Sequence, residues 1–320
     1  MKSRLIQGLA ALALAVASFT AGAQNLSEDT SFGSNPGHLR MFYYAPANLP
    51  AGSPLVVIAP GCSQTAQQIA DTTGWIQLAN RFQIALVVPQ TSLANEPTGD
   101  CFRTWEPAHQ ARGAGEPLSV RQMVDRMRVL YPAISASRIY MTGLSSGGLL
   151  TNVMLATYPD VFTAGAPQSA YPYKCATSIS QVDICAMGGR ILTPLQWGDL
   201  ARSGYPGYAG PWPRVQIWHG SADMVINLSN QYQEVEQWAN VNGIDAIADS
   251  TDYLLGQPRI SYDTSYGDTL VQTITVQGMG HAVAVDPGTG PQQCGAIGPY
   301  AADFNICAAY WIGAFFGVVN

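Results

Sequence analysis

Arg138-Ile139-Tyr140-Met141-Thr142-Gly143-Leu144-Ser145-Ser146-Gly147-Gly148-Leu149-Leu150 is the stretch on which the fold turns. Its first five residues read as a strand. After the glycines, Leu149, Leu150, Val153 and Met154 recur at helical spacing until Pro159 stops a new turn. Between strand and helix, Gly143-Leu144-Ser145-Ser146-Gly147 has the form G-x-S-x-G. Glycines on both sides let the backbone turn sharply, so that a serine hydroxyl stands at the carboxyl edge of a sheet, beside a helix N-terminus. An ordinary Gly/Ser turn would look the same in a chain with 32 glycines. The flanking strand and helix, and the partners sought below, make Ser145 a candidate nucleophile.

Working outward, apolar and β-branched runs of strand length fall at residues 54–59, 84–89, 138–142, 164–168, 214–218 and 269–276. They alternate with helical patterns, the mark of an α/β chain with a mainly parallel central sheet flanked by helices. Residues 69–82 read as one helix and 119–130 as another. In the second, Ser119 with Gln122 has the form of a capping box, and Val120, Met123, Val124, Met127 and Leu130 share a face. No hinge of changed composition and no repeat divides the chain, so one catalytic domain is expected over residues 24–320. Residues 198–213 and 280–300, rich in Gly, Pro and Tyr, read as long loops walling the active site.

The order that accompanies such a serine is Ser, then Asp or Glu, then His. Of four histidines, at 38, 109, 219 and 281, the first two precede Ser145. His219 ends a strand as Trp218-His219-Gly220-Ser221-Ala222-Asp223, which leaves Asp223 just beyond the sheet edge and makes His219 itself a structural histidine bonding nearby backbone. His281, after Gly278-Met279-Gly280, remains as the base. A serine hydroxyl is too weakly acidic to attack an ester unaided, so His281 would take its proton while Asp223 holds the imidazole in the right tautomer. Alone, Asp223 could be a turn aspartate and His281 a loop histidine; their joint order favours catalysis. The oxyanion formed on attack needs backbone donors. The N–H of Ser146 is one, and the N–H of Cys62, in the loop Pro60-Gly61-Cys62-Ser63-Gln64 after an early strand, is the other.

Residues 1–23 have the basic start (Lys2, Arg4), the apolar centre and the Ala21-Gly22-Ala23 end of an export signal, too short to span a membrane. Its removal would change the formal charge from −6 to −8. Such an acidic chain, with no basic run, is a poor partner for nucleic acid. Six cysteines in an exported chain favour disulfides. The pairs 175/185 and 294/307 would close short loops and leave 62 with 101, so sequential pairing is preferred. Zinc is disfavoured by the absence of any C-x-x-C or suitably spaced His, and no metal or other cofactor is expected.

Together the motifs resemble the extracellular polyhydroxybutyrate (PHB) depolymerase type of esterase, which takes in feruloyl and acetylxylan esterases of the α/β-hydrolase fold. The resemblance rests on Pro60 through Gln64, Cys101 with Trp105, Arg112-Gly113-Ala114-Gly115-Glu116 running into Ser119-Val120-Arg121-Gln122-Met123-Val124-Asp125, Gly143 through Gly148, Leu155-Ala156-Thr157-Tyr158-Pro159-Asp160-Val161-Phe162, Trp218-His219-Gly220 with Asp223, and Gly278 through His281. It implies the triad Ser145, Asp223, His281, oxyanion donors at Cys62 and Ser146, and a Trp105 near substrate. Pro60 stands where the family usually has histidine. Polymer-degrading members often append a linker and a substrate-binding domain, and neither is read here. The expected activity is hydrolysis of a 3-hydroxyalkanoate polyester or its oligomers by a secreted monomer, with a periplasmic location as a variant. Removal of feruloyl or acetyl groups from plant polysaccharide is the second reading, and a secreted binding protein without turnover the third.

Overall fold

In the computed structural model, which describes residues 24–319, ten strands form one sheet. The export signal expected at residues 1–23 lies outside the described residues. In chain order the strands are β1 (Ser27–Asp29), β2 (Arg40–Tyr44), β3 (Ser53–Ala59), β4 (Ala85–Gln90), β5 (Ile134–Leu144), β6 (Ala164–Gln168), β7 (Arg214–Gly220), β8 (Ser250–Leu254), β9 (Gln257–Asp263) and β10 (Thr269–Val276). Across the sheet the order is β1-β2-β4-β3-β5-β6-β7-β10-β9-β8. The middle, from β4 to β10, is parallel throughout, and each flank adds two antiparallel strands. The parallel middle is made of the six strands read from the sequence. This is the α/β-hydrolase fold.

The helices are α1 (Ala66–Thr73), α2 (Trp75–Phe82), α3 (Gly115–Leu130), α4 (Ser146–Thr157), α5 (Val182–Ala186), α6 (Pro194–Arg202), α7 (Ser229–Val241) and α8 (Ala308–Phe316). β3 shows how they cover the sheet, because strand side chains alternate between faces. Val56 and Ile58 join a core with Ile69, Leu78 and Ile312 from α1, α2 and α8. Leu55, Val57 and Ala59 join the opposite core with Met123, Leu150, Val153, Met154 and Trp238 from α3, α4 and α7. With both faces covered, a central strand has to be apolar along its whole length, and every residue of β3 is buried.

Two helix expectations are corrected. Residues 69–82 are not one helix. Gly74, at φ +85°, separates α1 from α2, and a side chain there would collide with Gly295 and Cys294, which pack into the break. The capping box in this region belongs to Thr65, whose hydroxyl accepts from the Gln68 N–H (3.1 Å) while the Gln68 side chain accepts from the Thr65 N–H (2.8 Å). Nor does Ser119 cap α3, which begins a turn earlier. Pro117 fits that first turn, where no N–H is needed. Ser119 Oγ instead accepts from Gly37 N–H (2.8 Å) and Gln122 Oε1 from Asn35 N–H (2.9 Å), so the pair ties down the N-terminal segment. Among the described residues, no helix is long and apolar enough to cross a membrane.

Candidate active site

The site is built where the parallel strands end. Ser145, between β5 and α4, has φ +56° and ψ −121°, a conformation rarely held by a residue with a side chain. It is fixed from both sides: its N–H donates to Gln168 O at the end of β6 and its carbonyl accepts from Leu149 N–H, both at 2.9 Å. Gly147 is needed because a Cβ there would overlap the Ala59 carbonyl at the end of β3. The Ser145 side chain does not cap α4. Its hydroxyl is thereby left to the cavity, and the helix N-terminus presents its positive end there.

Two further strand ends carry the candidate acid and base. Asp223 follows β7 and is buried, with one oxygen, Oδ1, accepting from the N–H groups of Val225 (2.8 Å) and Ile226 (2.9 Å). The other, Oδ2, lies 2.7 Å from Nδ1 of His281, beyond β10. Burial alone would raise the Asp223 pKa, but the bond and charge of His281 and the two N–H donors outweigh it and hold the carboxyl down to about 2. Asp223 is therefore a carboxylate at any ordinary pH. It can only accept, so Nδ1 of His281 donates to it, and Nε2 is the ring nitrogen that Asp223 does not engage.

Ser145 and His281 line one cavity of about 190 Å³ with Gly61, Cys62, Leu144, Val225 and Tyr300. Cys62 belongs to the loop after β3, which is braced on every side. Gln64 is buried and accepts from Gly61 N–H (3.0 Å). Ser63 Oγ donates to Gly99 O (2.9 Å), and a disulfide joins Cys62 to Cys101. The Cys101 side of that bridge is gathered by the Glu96 carboxylate, which accepts from the N–H groups of Thr98, Gly99 and Cys101 and from the Thr98 hydroxyl. Burial opposes the charge on Glu96, yet these donors keep its pKa below the usual carboxylate value. Two more disulfides, Cys175–Cys185 and Cys294–Cys307, complete the sequential set. The latter anchors the chain that carries Tyr300.

Other candidate residues fall elsewhere. His219 is fully buried and its Nε2 is 2.9 Å from Ile226 O. A carbonyl only accepts, so Nε2 is the protonated nitrogen, and burial lowers the pKa and keeps the ring neutral. His219 thus braces the Asp223 loop as a structural histidine. Trp105 is outside the cavity lining; its indole packs on an apolar cluster of Leu149, Tyr171, Trp197 and Ile226. Residues 198–213 also do not wall the site. Their first part is in α6, and Tyr208 and Trp212 meet edge to face near the start of β7, at the opposite edge of the sheet. Of residues 280–300, His281 and Tyr300 do line the cavity. No cluster of three or more His, Cys, Asp or Glu able to hold a metal ion occurs among the described residues.

Residues 40–252 match the family model described as Esterase PHB depolymerase. The chain belongs to this family. Poly(3-hydroxyalkanoate) depolymerase C of Paucimonas lemoignei is 46% identical to this esterase over 311 residues, which cover 97% of this chain and 74% of that one. Feruloyl esterase B of Talaromyces stipitatus is 34% identical over 276 residues, covering 83% and 75%. Among solved structures, an acetyl xylan esterase from Aspergillus awamori superposes with a TM-score of 0.73 at 31% identity, covering 81% of this esterase and 94% of that chain. The family makes the chain a carboxylic ester hydrolase.

Proposed function

We propose that this esterase cleaves its substrate through a Ser145 acyl-enzyme, with His281 as the base and Asp223 as its orienting acid. The observation that carries the reading is the sharing of one small cavity by Ser145 and His281, with His281 bonded from behind to a buried, ionised Asp223. On this reading His281 Nε2 takes the Ser145 proton as Oγ attacks the ester carbonyl, and returns it to the departing alcohol. The negative charge on the carbonyl oxygen is met by the N–H groups of Cys62 and Ser146. The same base then activates water to release the acid. The braces around residues 60–64 fit this role, since an oxyanion donor works by being held in place before the charge arrives.

For the substrate, we infer a 3-hydroxyalkanoate polyester or its oligomers. The depolymerase relative at 46% identity stands above the feruloyl and acetylxylan esterases, at 34% and 36% for two of them. The cavity, about 190 Å³, is smaller than the roughly 300–1,000 Å³ of pockets for drug-sized ligands. It suits one short acyl unit with the remaining chain outside. Acetyl removal from xylan is the second reading, favoured by the same small cavity and by the acetyl xylan esterase likeness. Three disulfides support a protein exported to an oxidising compartment. The deciding experiment offers one preparation PHB film, acetylated xylan and methyl ferulate. Release of 3-hydroxybutyrate from the film at the highest rate is expected; fast acetate or ferulate release with an intact film would overturn the polyester reading.

A further inference from the structure

The chain from Cys175 to Trp197, which bonds to the segment just beyond Asp223, leaves large apolar side chains in solvent. Ile184, Met187, Ile191 and Leu195 recur every three or four residues and are all exposed, Ile191 by 80%. In the segment it bonds to, Met224, 86% exposed, and Val225 are also exposed, and Val225 is itself a wall of the cavity. Formal charge is nearly absent here. From residue 182 to 195 only Asp183 and Arg190 carry any, and Arg190 turns inward to donate to the carbonyls of Lys174 and Cys175, with its guanidinium over the Trp197 ring. Large apolar side chains exposed together on one charge-poor stretch point to an interaction site.

The stretch is also fixed relative to the catalytic residues. The Cys175–Cys185 disulfide closes it. Ala186 O accepts from Asn227 N–H (2.7 Å) and from the Asn230 side chain (3.0 Å), and Gly188 O accepts from Gln233 (3.2 Å), all just beyond Asp223 in the chain. An apolar surface held rigidly against the acid loop would orient the cavity toward whatever it touches. A second copy of this chain seated there would cover Val225 and shut the mouth. A flat, uncharged ester polymer would instead be delivered to it.

Building on the polyester reading, we propose that Ile184, Met187, Ile191, Leu195, Met224 and Val225 form an adsorption face that lays the cavity mouth on the surface of a solid, uncharged polyester. The face acts on binding to the solid, so soluble short-chain esters reach Ser145 without it.

The test separates adsorption from turnover. In a Ser145→Ala background, depletion from solution onto PHB film is measured with and without Ile184→Gln/Met187→Gln/Ile191→Gln. A third protein carries Tyr253→Gln/Tyr266→Gln, exposed aromatics on the β8 edge strand and on the turn before β10. The triple variant is expected to lower the adsorption constant at least about tenfold, as loss of several apolar contacts requires, while the tyrosine variant adsorbs normally. In the active background the triple variant keeps its kcat/KM on p-nitrophenyl butyrate within about twofold, since ordinary surface substitutions perturb little. Equal adsorption by the triple variant, equal losses from both variants, absence of adsorption by the parent, or conversion of a dimer to a monomer in light scattering would each overturn the proposal. Film adsorption without film hydrolysis by the active enzyme would contradict the polyester reading alone, and the adsorption comparison would still decide the face.

Discussion

Each residue of the proposed triad is held by contacts outside its own segment. Asp223 takes two backbone N–H groups on one oxygen and His281 on the other, so its role is specific to a carboxylate. Asp223→Asn keeps the shape but can present an amide N–H toward His281 Nδ1, which favours the wrong tautomer. It should lower kcat on a soluble ester by roughly 10⁴, as in the serine-protease precedent, with an unchanged circular dichroism spectrum. A near-normal rate would point to another acid. The candidates Ser145, Asp223 and His281 could be named from the sequence because the chemistry proposed for them fixes residue types and their chain order. Gln64, Glu96 and Tyr300 were not. Glu96 and Gln64 matter for the N–H groups they gather, and Tyr300 for where a disulfide-anchored loop returns to the cavity. No residue-type pattern announces either.

At the scale of elements, α4 approaches the end of β3 closely, and Gly147 is what allows it. Gly147→Ala would drive a Cβ into the Ala59 carbonyl, a backbone atom that cannot move aside cheaply. A loss of about 1–3 kcal/mol in unfolding free energy is expected, the usual cost of overpacking, with a larger fall in kcat than the stability loss explains. Urea unfolding and steady-state rates check both. The six parallel strands were readable because burial on both faces makes them continuously apolar. The flanking strands β1, β2, β8 and β9 carry sequences such as Ser-Glu-Asp and Ser-Thr-Asp-Tyr-Leu and are partly exposed, so their pattern merges with that of loops. The Gly74 break was missed for another reason: its cause, residues 294–295, is more than two hundred residues away in the chain.

For the whole molecule, the interface between α4 and α7 contains a titratable group that does not touch the cavity. Glu234 is fully buried, with Oε1 accepting from Asn152 at 2.5 Å and Oε2 without a partner among the described residues. Burial pushes its pKa from 4.5 up to about 8, against the smaller effect of Asn152. The folded chain therefore keeps a proton that the unfolded chain releases between these values, and folding stability falls as pH rises from about 4.5 to 8. Glu234→Gln removes that proton release. Its melting temperature should match or exceed that of the wild type, with the gap widening from pH 5 to pH 9. A constant gap would show that Glu234 does not titrate over that range. Asp223 acts with the opposite sign: its depressed pKa of about 2 contributes stability that is lost as pH falls from about 4 to 2.

The proposed mechanism puts the chemistry on Ser145, and one measurement addresses that directly. Ser145→Ala, confirmed to be folded by its melting temperature, is assayed on p-nitrophenyl butyrate beside the wild type. A fall in kcat of roughly 10⁶ is expected, the loss seen when the nucleophile of such a triad is removed. Turnover within tenfold of the wild type would contradict the assignment of Ser145 as the residue that attacks the ester.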